Sequence, residues 1–112
     1  MPPPTSPVAL EKAYALCLWI IPKATRMPRS HRFALGDRLY THSLHLVTAL
    51  TQASFRQDKA KPLETASDHV NSIRILLRLA KDLRLLSFDS YAHATALLDE
   101  LGRMIGGWRK SQ

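Results

Sequence analysis

Ala66-Ser-Asp-His-Val70-Asn-Ser-Ile73-Arg-Ile-Leu-Leu77-Arg-Leu-Ala80 decides the fold. Ala66, Val70, Ile73, Leu77 and Ala80 recur at alternating steps of four and three, the spacing that stacks side chains on one face of an α-helix. Leu76 and Leu83 widen the stripe. Arg74, Arg78 and Lys81 fall at i, i+4 and i+7 and share a second face of the same helix. Pro62 sits where this helix opens, a position proline tolerates because first-turn N–H groups lack intrahelical partners anyway.

The same period runs outward in both directions. Ser87 is an N-cap for a fourth helix carrying Phe88, Tyr91, Ala94, Leu98, Leu101 and Ile105. Upstream, a second helix is expected from Arg32 to Phe55, burying Leu39, Tyr40, Leu44, Val47 and Leu50. The first helix is expected from Val8 to Ala24. Ala9, Ala13, Leu16 and Ile20 form one seam in it, and Leu10, Tyr14, Cys17 and Ile21 form another. A helix apolar on two sides needs cover on more than one. Pro22 should bend it, since its ring clashes with the Leu18 carbonyl and donates no hydrogen bond. The polar stretch Arg56 to Lys61 reads as a loop.

No alternating strand pattern appears, and Leu plus Ala supply 31 residues against 8 of Val plus Ile. Leu and Ala lose little side-chain freedom in a helix. The reading is an all-α, up-and-down four-helix bundle, with helices roughly 30 Å long for ~20 residues. Residues 8–112 form one domain behind a disordered, Pro-rich tail at residues 1–7. The tail lacks the basic region of a secretory signal, and Ala13 to Pro22 is half of the ~20 apolar residues a membrane span needs. A cytoplasmic protein with no membrane partner is expected.

Catalytic constellations are missing: the chain has no zincin His-Glu pair, no Walker loop and no G-x-G-x-x-G. Its single cysteine, Cys17, lies in an apolar run and reads as an inert thiol. His31, Arg38, His42 and His45 recur on one face of the second helix, but no carboxylate completes a ligand set there. These histidines read as a solvent or interface stripe rather than a metal site. The expectation is a non-enzymatic protein with no cofactor and no metal.

The net charge is +7 with 16 basic residues, ten of them arginine. It is concentrated in two places. Lys23, Arg26, Arg29, Arg32, Arg38 and Arg56 face one acid, Asp37, and Arg74, Arg78, Lys81 and Arg84 face Asp68 and Asp82. Arginine's planar fork suits bidentate phosphate contact. With no aromatic residue between the arginines of the third helix, backbone-directed nucleic-acid binding fits better than base stacking. The candidate contacts are Arg74, Arg78, Lys81, Arg26, Arg29 and Arg32. A solvated basic face is the plainer reading of the same residues.

The last helix ends Glu100-Leu-Gly102-Arg103-Met-Ile-Gly106-Gly107-Trp108. Gly102 and Gly106 form a G-x-x-x-G that would let a helix backbone approach, and Trp108 would anchor the helix end. This ending resembles that of a four-helix-bundle family, the accessory variability proteins of diversity-generating retroelements. A related branch is encoded in intervening sequences of ribosomal RNA genes. Pro22 with Met27-Pro28-Arg29 is similar to the two prolines that close that family's first helix, and Arg74-Ile-Leu-Leu-Arg78 to its arginine pair.

The resemblance implies a homopentameric barrel of four-helix protomers with a basic surface. It also implies a reverse transcriptase as partner, together with template RNA and complementary DNA. Arg74 and Arg78 are the positions matching the family's pattern. Two rival readings use the same residues: a ribosomal-RNA-associated bundle of the intervening-sequence type, and a protein-interaction scaffold without nucleic-acid binding.

Overall fold

The stripe that opened the sequence reading is buried along its whole length. Ala66, Val70, Ile73, Leu77 and Ala80 are all at most 2% exposed. They lie on α4 (Ala60–Asp82), and the other elements assemble around it: α1 (Thr5–Thr25), α2 (Arg29–His31), a π-helical turn (Arg32–Gly36), α3 (Asp37–Phe55) and α5 (Phe88–Lys110). The computed structural model describes residues 5–112, with side chains from residue 8 onward, and no strand occurs among the described residues.

The four long helices pack in a ring in which α1 touches α3, α3 touches α4, α4 touches α5, and α5 closes on α1. Short links make sequential neighbours antiparallel, giving the up-and-down bundle. Its extents are 46 × 23 × 18 Å. Up-and-down connectivity therefore gathers the C-terminus of α1, the N-terminus of α3, the C-terminus of α4 and the N-terminus of α5 at one end.

The core has one layer from each helix. Ala9, Ala13, Leu16 and Ile20 come from α1, Leu39, Leu46, Leu50 and Ala53 from α3, and Ala94, Leu98, Leu101, Ile105 and Trp108 from α5. Truncating one of the larger aliphatic members to alanine costs ~2–5 kcal/mol. Ser87 caps α5 as expected, its hydroxyl accepting from the Ser90 N–H at 3.1 Å. Lys59 holds the other end of α3, its ammonium donating to the Ala53 and Arg56 carbonyls at 2.6 and 2.7 Å. A cation there complements the negative end of the helix dipole.

Three expectations are corrected. Helix α1 begins at Thr5 rather than Val8, because Pro7 falls in the first turn where no N–H is needed. The rest of the expected tail, residues 1–4, lies outside the described residues. The second helical segment starts at Arg29, not Arg32, and runs through the π turn before α3. The buried face of α3 is also rotated, with Ser43, Leu46, Ala49 and Ala53 buried while Tyr40 and Leu44 are each 39% exposed. Larger apolar residues misled the periodicity. A face of small residues permits the close α1–α3 packing, and Tyr40 and Leu44 are left on a second side.

Gly36, the last residue of the π turn, lies in close approach to α1. A Cβ built there would stand 2.7 Å from the Ala24 carbonyl oxygen, so a side chain would collide with the backbone of α1. Within the chain, the tight backbone approach is at Gly36 and not along the G-x-x-x-G of α5. At Gly102 a Cβ would meet only the Arg74 guanidinium, at 3.1 Å, and at Gly106 nothing within 4 Å.

Candidate nucleic-acid interface

Arg74 and Arg78 project from α4 into the seam with α5, where they line one groove of about 310 Å³ with Asn71, Ile75, Tyr91 and Thr95. Arg74 also borders a neighbouring groove of about 400 Å³ with Ser67, Asn71, Asp99, Gly102 and Arg103. The two grooves share Asn71 and Arg74 and together form a furrow along α4–α5.

The two arginines are held differently. Arg74 donates from Nη1 to Asp99 Oδ1 and from Nη2 to the Leu98 carbonyl at 3.2 Å. Gly102 leaves the space that lets this guanidinium lie flat on α5. Arg74 therefore ties α4 to α5, with half its hydrogen-bonding fork already engaged. Arg78 is exposed, and its nearest carboxylate, Asp82, is 3.9 Å away on the same helix. An exposed i, i+4 pair of this kind contributes only ~0.3–0.5 kcal/mol and yields readily to a phosphate. Lys81 lies 3.3 Å from Asp82 and 4.7 Å above the Tyr91 ring. Tyr91 comes from α5, so linear sequence alone could not place an aromatic ring beside these cations.

Arg26, Arg29 and Arg32 are exposed around the break between α1 and α2. Pro28 is extended there (φ −52°, ψ 146°), and its carbonyl accepts from the His31 and Arg32 N–H groups at 2.8 and 2.9 Å. These three do not share the α4–α5 furrow. They belong to the end of the bundle, which α4 reaches through its own C-terminus.

The histidine stripe has a partner that sequence reasoning missed. His69 of α4 brings its Nδ1 to 2.9 Å from His42 Nδ1, and the His45 ring lies 5.3 Å from that of His69. One ring must donate and the other accept, so the pair exists only while one of these nitrogens is unprotonated. Burial pushes both pKa values down from 6.5. The neighbouring cations reinforce this, His45 and Arg38 for His42, and His42 and His45 for His69, where Asp68 opposes them. Only the α3–α4 register could have revealed His69. Among the described residues, no group of three or more His, Cys, Asp or Glu side chains is arranged to hold a metal ion.

Cys17 is buried and donates its S–H to the Ser43 carbonyl at 3.1 Å. Burial pushes its pKa up, with the Ser43 side chain acting the other way. Trp108 is 1% exposed, and its indole N–H has no hydrogen-bond partner. Among the described residues, no helix is long and apolar enough to cross a membrane.

Four long helices packed in a ring define a class, the small up-and-down four-helix bundle. Comparison narrows that class to a family. The family model described as bAvd-like matches residues 7–112, nearly the whole chain, and the protein belongs to that family. Membership points to an accessory protein of the diversity-generating retroelement kind. Comparison with curated proteins and with solved structures finds no match.

Proposed function

We propose that this protein is a non-enzymatic accessory factor that binds template RNA and complementary DNA through its basic surface and docks a retroelement reverse transcriptase. The observation that carries the reading is the α4–α5 furrow. There Arg78 stands exposed beside an Arg74 that Asp99 fixes in place, on a chain of net charge +7. Arg26, Arg29 and Arg32 extend the positive surface at the bundle end, and Lys81 continues the furrow toward them.

Self-association is the second part of the proposal. Leu18 and Tyr14 of α1 are 62% and 56% exposed. With Cys17, Ile21, Leu44, Val47 and Thr48 they line an open, largely apolar groove of about 390 Å³ between α1 and α3. This is the second apolar side of the first helix, still uncovered within the chain. A second copy would cover it, and the assembly proposed is the homopentamer that the family resemblance implies.

Fluorescence anisotropy with labelled single-stranded RNA across a salt series tests the binding reading. Arg78→Ala should weaken binding to unrelated sequences by similar factors, and each lost phosphate contact should lower the log–log salt slope by about 0.7. Light scattering should give a mass near five times 12.6 kDa. Unchanged affinity in a folded, assembled variant would make the furrow a protein-docking scaffold. A preference for ribosomal RNA over unrelated RNA would favour the intervening-sequence alternative.

A further inference from the structure

At the end of the bundle, the α1–α2 break and the α4–α5 link flank an open groove of about 330 Å³. That is the small end of the ~300–1,000 Å³ typical of ligand sites. Its walls are Lys23, Arg26, Met27, Pro28, the Arg84–Ser87 link and Ser90. Three of these residues are cationic and none is acidic. Lys23, Arg26 and Arg84 make no ion pair among the described residues, whereas Arg74, Arg78 and Lys81 all have carboxylates at hand. Positive charge is therefore unpaired here, with the Lys23 ammonium resting 4.6 Å from the Trp19 ring, whereas in the furrow it is paired.

Arg84 is the informative member. It has φ 62°, the left-handed region that glycine normally supplies. The reason is local: its N–H bonds the Lys81 carbonyl at 2.9 Å and the Leu85 N–H bonds the Ala80 carbonyl at 2.8 Å. Those two bonds close α4 as a Schellman turn, whose left-handed position is usually glycine. Here an arginine occupies it, and its long side chain borders the groove.

We infer that this groove is a phosphate-binding site in which Lys23, Arg26 and Arg84 converge on one phosphate group. The Ser87 and Ser90 hydroxyls at the start of α5 supply further donors. The phosphate has two sources, a nucleic-acid backbone or end, and a free phosphate. The first source rests on the nucleic-acid reading given above, while the site itself does not depend on it. Arg84 and Lys23 belong to the basic concentrations counted from sequence but not to the candidate contacts drawn from them. Only the fold brings the link after α4 against the end of α1.

Arg84→Gly tests this without confounding it with misfolding, because glycine removes the cation and relaxes the left-handed backbone. Thermal melts of the two proteins are compared in sodium phosphate and in sodium chloride at equal ionic strength. Phosphate also salts proteins into their compact state generally, so the difference between the two proteins is the quantity read. The expected result is that Arg84→Gly melts at or above the parent in chloride. The parent should gain a few degrees more than the variant in phosphate, growing with the logarithm of concentration. Lys23→Gln should lose the same increment.

An equal phosphate increment in all three proteins would overturn the site, whatever RNA binding shows. Where the increment is specific to the parent, anisotropy with RNA assigns the source. A threefold or greater affinity loss in Arg84→Gly identifies a nucleic-acid phosphate, and unchanged RNA affinity identifies a free one. Failure of the nucleic-acid reading is seen separately, as salt-insensitive RNA binding by the parent or its absence.

Discussion

Replacing Gly106 by alanine should stabilise the protein. Gly106 lies in the interior of α5, and a Cβ there meets nothing within 4 Å. No steric cost opposes the helix preference of alanine over glycine, about 0.8–1 kcal/mol. For a chain of this length, a change of 1 kcal/mol moves Tm by roughly 4 °C. The assay is circular dichroism melting at matched protein concentration, since assembly makes Tm concentration-dependent. Gly36→Ala is the opposing control. Its Cβ would stand 2.7 Å from the Ala24 carbonyl oxygen, a backbone atom that cannot swing away, so overpacking of about 1–3 kcal/mol outweighs the helix gain. Gly102→Ala should fall between, within about 0.5 kcal/mol of the parent, because only the tethered Arg74 guanidinium must give way. A lower Tm for Gly106→Ala, with a smaller mass by light scattering, would refute the reasoning. It would place another copy's backbone against the G-x-x-x-G face.

Trp108→Ala should cost ~3–5 kcal/mol in denaturant unfolding, whereas Trp108→Phe should cost far less, because it also removes a buried N–H with no partner. Stability should also depend on pH through His42 and His69. Their folded pKa values lie below 6.5, so the unfolded chain binds more protons in acid. The stabilisation is complete above pH 6.5 and is lost as pH falls through the folded values. His69→Gln should flatten the Tm profile between about pH 7 and pH 5, and an equally steep profile in that variant would exclude the pair as its cause. Leu18→Ser should lower the assembled mass while leaving the far-UV helical signal intact, as the side chain is 62% exposed within the chain.

What sequence could reveal followed the range of each interaction. The seam Ala66 to Ala80 and the Ser87 cap are local, set by a 3.6-residue period and one hydroxyl three residues from its N–H, and the structure reproduces both. The face of α3 was misjudged because size and burial diverge there. Ser43, Ala49 and Ala53 are buried by close helix approach, and Tyr40 and Leu44 are displaced outward. Close approach to α1 also explains why Gly36 went unnoticed while Gly102 and Gly106 drew attention. Their spacing is visible in a line of letters, but the Ala24 carbonyl that makes Gly36 indispensable is not. Pairings across elements were out of reach for the same reason: Arg74 with Asp99, His42 with His69, and Lys81 over Tyr91 all depend on register.

The arrangement of charge then follows from connectivity. Lys23 and Arg84 are far apart in the chain, yet alternating helix direction brings the end of α1 and the end of α4 to the same pole. Acidic residues occur at this pole too, Asp37 and Asp89 in the first turns of α3 and α5 and Asp82 at the end of α4, but none lines the groove there. Along the seam, Asp99 stands against Arg74, and Asp82 is taken up by Arg78 and Lys81. A phosphate approaching Arg74 must compete with a carboxylate already in place, and one approaching Arg78 faces only a loose neighbour at 3.9 Å. At the pole, no ion pair of Lys23, Arg26 or Arg84 has to be broken among the described residues. Attraction there is opposed only by desolvation of the cations, of which Arg26 and Arg84 stand exposed to solvent. Sensitivity to salt should therefore divide along the molecule, with the pole supplying affinity and Arg78 steering the strand along the furrow.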